Sequence, residues 1–226
     1  MAALRKASRK VREVGAFYAF ALAARRALPP RALYAGRTIM LELRPDRDTM
    51  TLDDREGIRW ATTQDSRLLT AFGHSIAIVH QRFSAGDRAC MLLESGQVLA
   101  YVWFHAVEHE DENLGVRFRL GPTEIWLFDA MVAADHRGRG LYPRLLRSAA
   151  ADLWNDGFSR ILIAVEASNH NSMRAHRAVG ARNTGSLHAT RILGMTFLYD
   201  GSHFRIRWTG SRGWVELSSH TFAARS

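Results

Sequence analysis

Cysteine is nearly absent from this chain: Cys90 stands alone. That excludes an internal disulfide and any zinc site built from several thiolates, and it suits a reducing compartment such as the cytoplasm. Lysine is almost as scarce, at positions 6 and 10 only, so arginine carries nearly all of the excess of 31 basic over 22 acidic residues. A field of that sign attracts phosphates, whether on a nucleotide, a nucleic acid or an anionic membrane. Internal repeats and low-complexity segments are missing as well. So is GxxxxGK[ST], which excludes a P-loop.

The apolar run GAFYAFALAA, Gly15 to Ala24, is ten residues long, half of the ~20 that a membrane-spanning helix needs. Arg5, Lys6, Arg9, Lys10 and Arg12 precede it, Arg25 and Arg26 follow, and Pro29 and Pro30 close it. The order resembles a secretory signal. The cofactor argued for below is cytoplasmic, so the expectation is a basic amphipathic helix over residues 1–30. That helix either packs on the domain or holds it peripherally to an anionic membrane through residues 1–28.

What is present fits one globular domain of 226 residues with 47% hydrophobic content. RTIMLEL, Arg37 to Leu43, alternates with period two and predicts a strand. GIRWAT predicts another, SRLLTAFGHSIAIVHQRF has helical spacing, and ACMLLESGQVLAYVWFH reads as a hairpin about Ser95 and Gly96. EHEDENLG reads as a polar loop. EIWLFDAMV, Glu124 to Val132, predicts a strongly apolar strand. After it, LYPRLLRSAAADLWNDG carries a helical stripe of Leu141, Leu145, Ala149 and Leu153, closed by Gly157. ILIAVEA predicts a buried strand, Asn169 to Val179 a helix ended by Gly180, and HATRILGMTFLY and HFRIRWTG one strand each. Strand, glycine loop, helix, strand and helix in that order mark an α/β unit with partly parallel strands.

Between the apolar strand and the first of those helices lies DHRGRGLY. Gly138 and Gly140 leave the backbone bare, so several N–H groups and the positive end of a helix dipole point at one spot, with Arg137 and Arg139 adding charge. This is an anion cradle. RGRGLY lacks the third glycine of GxGxxG, which argues against a dinucleotide fold.

These residues resemble the GNAT superfamily of N-acetyltransferases, whose signature [QR]xxGx[GA] is met by Arg137 and Gly140, with Tyr142 in place of the last small residue. Asn169 and Ser172 match the family's Asn and small residue after the next strand; His176 replaces its tyrosine, and Gly180-Ala181 its Gly-Phe. The resemblance spans about residues 57 to 181. It implies a mixed, mostly antiparallel sheet with a splayed central strand pair, flanked by helices, in a domain over residues 31–226.

It also implies an acyl-coenzyme A donor, acetyl-coenzyme A in the simplest case. The pyrophosphate would sit on Arg137, Gly138, Arg139, Gly140, Leu141 and Tyr142, with Asn169 and Ser172 nearby. The pantetheine arm would add like a strand beside Met131 and Val132, where a backbone N–H polarises the thioester carbonyl. Relatives carry a proton-accepting Glu thirteen residues before the motif's Arg, where Glu124 stands; others carry an acid where Asp129 stands. Five positions apart in a regular strand, the two would point to opposite faces unless a bulge intervenes. His176 would take the place of the tyrosine that protonates the departing thiolate; packing or capping is its alternative role.

The expected activity is therefore direct acyl transfer, in a ternary complex, to an amine such as an amino sugar or amino acid, with no metal and no nucleic acid. A homodimer is compatible with it. The contrasting class is a catalytically silent coenzyme A-binding or membrane-associated protein on the same fold. A weaker alternative is a zinc hydrolase, because HAVEH supplies His105, Glu108 and His109 in the HxxEH pattern. That pattern needs a helix, and the surrounding residues do not predict one.

Overall fold

The structure is a computed structural model that describes residues 33–45, 55–111, 116–208 and 215–218. The helix predicted over residues 1–30 lies outside the described residues. Among those described, no helix is long and apolar enough to cross a membrane.

Strand β1 (Leu33–Leu43) contains the predicted RTIMLEL. After β2 (Ile58–Trp60), short helical turns over Thr63–Asp65, Ser66–Leu69 and Thr70–Phe72 stop at Gly73, whose φ of 94° no ordinary helical residue adopts. Ser75 then caps helix α1 (Ile76–Ser84) by accepting from the Ile78 N–H. Strands β3 (Arg88–Glu94) and β4 (Gln97–His105) form the predicted hairpin, and Ser95 and Gly96 both take the positive φ that a two-residue turn of this hand requires. Cys90 lies buried in β3, and burial pushes its thiol up to about 12.

Two predicted elements differ. EHED was expected to be loop, yet it forms β5 (Glu108–Asp111) against β6 (Val116–Arg119). The register sets Glu108 opposite Arg119 and Glu110 opposite Arg117, whose Nη2 lies 2.6 Å from Glu110 Oε1. Cross-strand charge pairing, invisible to hydrophobic periodicity, makes the strand. HATRILGMTFLY breaks at Leu193 and Gly194, both at positive φ, into β9 (Arg182–Ile192) and β10 (Met195–Tyr199). Apolar residues on both sides of Leu-Gly hide that turn in the sequence.

The elements left are β7 (Glu124–Val132), helix α2 (Leu141–Asn155), β8 (Arg160–Glu166), helix α3 (His170–Arg177), β11 (Phe204–Trp208) and β12 (Val215–Ser218). The main sheet runs β11-β10-β9-β1-β8-β7-β4-β3-β2, antiparallel throughout except for the parallel pair β7 and β8. It is the mixed, mostly antiparallel sheet that the resemblance implies. Strand β1 enters between β8 and β9, a placement no local pattern announces.

Alternation sorts the side chains to two faces. Ile125, Leu127, Ile161 and Ile163 meet Leu145, Leu146, Ala149 and Leu153 of α2. On the opposite face, Met40, Trp126 and Leu162 are covered by Phe118 and Leu217 of the small sheet β12-β6-β5, while Tyr101 and Trp103 are covered by Val79 of α1. At the lower end of this face Arg160 bridges two carboxylates, with Nε 2.7 Å from Glu42 and Nη1 2.6 Å from Glu124. All three side chains are buried.

Candidate active site

Strands β7 and β8 pair from Glu124–Arg160 to Leu127–Ile163 and then part company. Beyond that point β7 continues to Val132 beside β4 alone, and β8 continues to Glu166 beside β1. The parting coincides with a bulge. Phe128 faces Trp103 and Ala130 faces the next residue back, Val102, so Asp129 is the extra residue, at φ 43°. A groove of about 760 Å³ opens above it. Of the residues predicted to bind the donor, this groove gathers Met131, Val132, Arg137, Gly138, Gly140, Leu141, Tyr142, Asn169 and Ser172, together with His176. Arg139 is exposed and does not line it.

The cradle is built as a turn, Ala134–His136, followed by two left-handed glycines, Gly138 at φ 78° and Gly140 at φ 75°, with Gly140 as the residue that caps α2. A Cβ on either glycine would meet no protein atom within 4 Å. Glycine is there for the backbone angle, not for room inside the fold. The first-turn N–H groups of α2, which have no acceptor within the helix, open toward the groove with the helix dipole behind them. Arg137 Nε donates to the Val132 carbonyl at 3.2 Å and ties the cradle to the end of β7. Asn169 caps α3 by accepting from the Ser172 N–H at 3.1 Å.

His176 is buried, and both its ring nitrogens are engaged. Nδ1 donates to the Ser172 carbonyl at 2.8 Å, which leaves Nε2 to accept from the Tyr142 hydroxyl at 2.7 Å. Burial pushes the imidazole below its ordinary value and the Tyr142 phenol above its own. This is a neutral pair.

The two candidate proton acceptors stand in different surroundings. Glu124, at the foot of β7, is locked in the buried cluster with Arg160, and its Oε2 accepts from the Gly121 N–H at 2.7 Å. Asp129 sits where the groove begins, about 16 Å further along at the usual rise per residue. Because Phe128 and Asp129 both turn toward α1 at the bulge, the carboxylates share one face of the sheet, where a regular strand would have separated them. Asp129 accepts from Arg82 Nη1 and, at 2.9 Å, from the Tyr101 hydroxyl; His74 Nε2 also lies 2.9 Å from it. Arg82 is itself stacked 5.1 Å from both the Trp103 and Phe128 rings.

Residues 54–181 match the model of the Acetyltransferase (GNAT) family. The chain belongs to that family. Two solved structures are similar to this GNAT chain, a putative acetyltransferase from Novosphingobium aromaticivorans at 19% identity and an acetyltransferase from Colwellia psychrerythraea at 13%, both with a TM-score of 0.52. The alignments cover 72% and 75% of this chain and 66% and 60% of theirs, so it spans less than two thirds of those proteins. At such identity the likeness is one of fold. No curated protein matches the chain.

Within this GNAT fold the HAVEH pattern has no helix to work from. His105 ends β4 and hydrogen-bonds Asp87, while His109 lies on β5, stacked on Trp126 with ring centroids 4.5 Å apart. Among the described residues no group of three or more His, Cys, Asp or Glu is arranged to hold a metal ion. Burial lowers His109 to about 4. The unfolded chain, with an ordinary histidine near 6.5, therefore binds the extra proton between pH 6.5 and 4. Stability from this site is complete above pH 6.5 and falls by about 2 to 3 kcal/mol toward pH 4. His109→Phe should flatten that part of the profile in urea unfolding at several pH values.

The residues around Asp129 were not legible as site residues. His74, Arg82 and Tyr101 lie 55, 47 and 28 positions from it and belong to no spacing motif. The one local signal is the placement of His74 between a left-handed glycine and a helix cap.

Proposed function

We propose that this protein transfers an acyl group from acyl-coenzyme A, with acetyl as the simplest donor, directly to an amine acceptor. One observation carries the reading: the gap where β7 leaves β8 runs as one groove into the Gly138–Gly140 cradle. The residues present suit the donor. The cradle offers backbone N–H groups, a helix N-terminus and Arg137 to a pyrophosphate, and the free edge of β7 at Met131 and Val132 offers strand-like hydrogen bonds to an amide-bearing arm. Asn169 and Ser172 shape the far wall. A thioester laid along that edge would bring its carbonyl near the bulge.

An alkylamine with a pKa near 10.4 is neutral about once in a few thousand molecules at pH 7, a cost of about 4 to 5 kcal/mol. A proton acceptor at the groove lowers that cost, and the Asp129 cluster is the charged group set there. We assign Glu124 to holding the sheet together. A catalytically silent coenzyme A-binding protein would have no need to keep a carboxylate at positive φ against Arg82, Tyr101 and His74, a strained arrangement that costs about 1 to 3 kcal/mol.

The test is a panel of amines and amino sugars with acetyl-coenzyme A, reading released thiol. Release that depends on an amine supports the transferase. Coenzyme A binding without turnover of any amine supports the silent protein.

His176 and Tyr142 are assigned to shaping the groove wall. With Nδ1–H held by a carbonyl, His176 has no N–H for the departing sulfur, and a thiol of pKa near 8.5 leaves readily as thiolate. We expect His176→Phe to lower stability by about 1 to 3 kcal/mol, because the buried Tyr142 hydroxyl loses its acceptor. Turnover should stay within about tenfold of wild type, short of the 10²–10⁴ that full acid catalysis supplies. Thermal melting and steady-state rates together check it.

A further inference from the structure

We propose that His74 is the catalytic base of the acyl transfer, taking the acceptor's proton on Nδ1 while Asp129 holds the ring through Nε2. The assignment rests on the transferase reading above and goes beyond it.

The hydrogen-bond donors and acceptors fix the tautomer. Nε2 of His74 has two neighbours, Asp129 Oδ2 at 2.9 Å and the Tyr101 hydroxyl at 2.9 Å. A carboxylate only accepts. The Tyr101 hydroxyl commits its proton to Asp129 Oδ1, also at 2.9 Å, so toward His74 it presents a lone pair. Both neighbours of Nε2 are thus acceptors and Nε2 carries the hydrogen. The basic lone pair is left on Nδ1, which makes no hydrogen bond to any described residue.

Asp129 is the less open of the two to an incoming proton. One oxygen accepts from Tyr101, and the other accepts from Arg82 and lies 2.9 Å from His74 Nε2. Two donors, one of them a guanidinium, and the His74 ring beside them crowd both carboxylate oxygens. A carboxylate so held orients and stabilises an imidazolium, which is the part an aspartate plays beside a catalytic histidine.

The ring is placed firmly but not sealed. Gly73 and the Ser75 cap fix the backbone on either side. Tyr101 packs edge-on with centroids 5.9 Å apart, and about a fifth of the His74 side chain (21%) is exposed. Its anchor, Asp129, is two residues from Met131 on the free edge of β7.

The step balances without a further reagent. The amine nitrogen attacks the thioester carbonyl carbon and the C–N bond forms. The C–S bond breaks with its electron pair passing to sulfur, and the nitrogen's proton moves to Nδ1. The imidazolium then faces Asp129 until it releases the proton to water.

The titratable and charged groups facing His74 are Asp129 from β7, Tyr101 from β4 and, through Asp129, Arg82 from α1. His74→Gln keeps a side-chain N–H for Asp129 but cannot take a proton. With acetyl-coenzyme A and the amine that wild type turns over best in the panel, kcat should fall at least about 100-fold. KM for acetyl-coenzyme A should hold, and the base's ionisation should vanish from the pH profile of kcat/KM. Added imidazole should restore part of the rate to His74→Ala. A His74→Gln enzyme within threefold of wild type, with its pH profile intact, overturns the assignment; if Asp129→Asn is then inactive, Asp129 itself takes the proton. If wild type turns over no amine at all, the transferase reading fails first, and calorimetry with coenzyme A shows whether the cradle survives it.

Discussion

Gly140→Val should remove coenzyme A binding from a protein that still folds. Gly140 holds φ at 75°, where a β-branched residue is strained by about 1 to 3 kcal/mol, yet a Cβ there touches nothing in the fold within 4 Å. Its branches would occupy the space through which an anion approaches the first-turn N–H groups of α2. Losing two charge-assisted hydrogen bonds, each worth about 1.5 to 3 kcal/mol, weakens binding by 100-fold or more. Calorimetry with coenzyme A measures the loss, and circular dichroism shows that the fold persists. Unchanged affinity in the folded variant would remove the basis for placing a pyrophosphate on this loop.

Arg160→Met should have the largest effect on stability. The guanidinium sits between Glu42 and Glu124, each side chain less than a tenth exposed, so its removal leaves two carboxylates buried without their shared cation. Breaking such a cluster costs about 3 to 5 kcal/mol. At about 2 to 4 °C per kcal/mol for a chain of this size, Tm should drop by roughly 10 °C. Adding Glu42→Gln and Glu124→Gln to the same chain should recover much of it. A drop under about 3 °C would mean that the carboxylates find water, and would return Glu124 to the search for a proton acceptor.

Glu124 shows how far a spacing argument reaches. Its distance from Arg137 along the chain is the one a catalytic glutamate would have, but spacing does not reveal that Arg160, 36 positions on, closes over it. The parts legible in the sequence are those whose physics is local: the apolar alternation of β7, the stripe of α2, the glycines between them and the Ser95-Gly96 turn. What escaped depends on partners far along the chain. Strand β5 is stable because arginines of β6 face its glutamates, and the bulge at Asp129 shows only against its neighbour β4. His74 becomes notable only when a tyrosine and an aspartate from two other strands meet its ring.

Strand β1 is made before both of its neighbours: it lies between β8 and β9, whose residues follow more than 110 positions later. Its register ties Leu43 to Ile161 and Leu33 to Ile192, so neither of its edges has a mate until β8 and β9 have left the ribosome. Closing so long a loop adds little to the equilibrium cost but slows the search. The apolar segment LYAGRTIMLEL must therefore wait as an open edge, the kind of surface on which nascent chains aggregate or chaperones settle. The centre of the sheet, on which the groove between β7 and β8 leans, therefore cannot close before β8 and β9 are made.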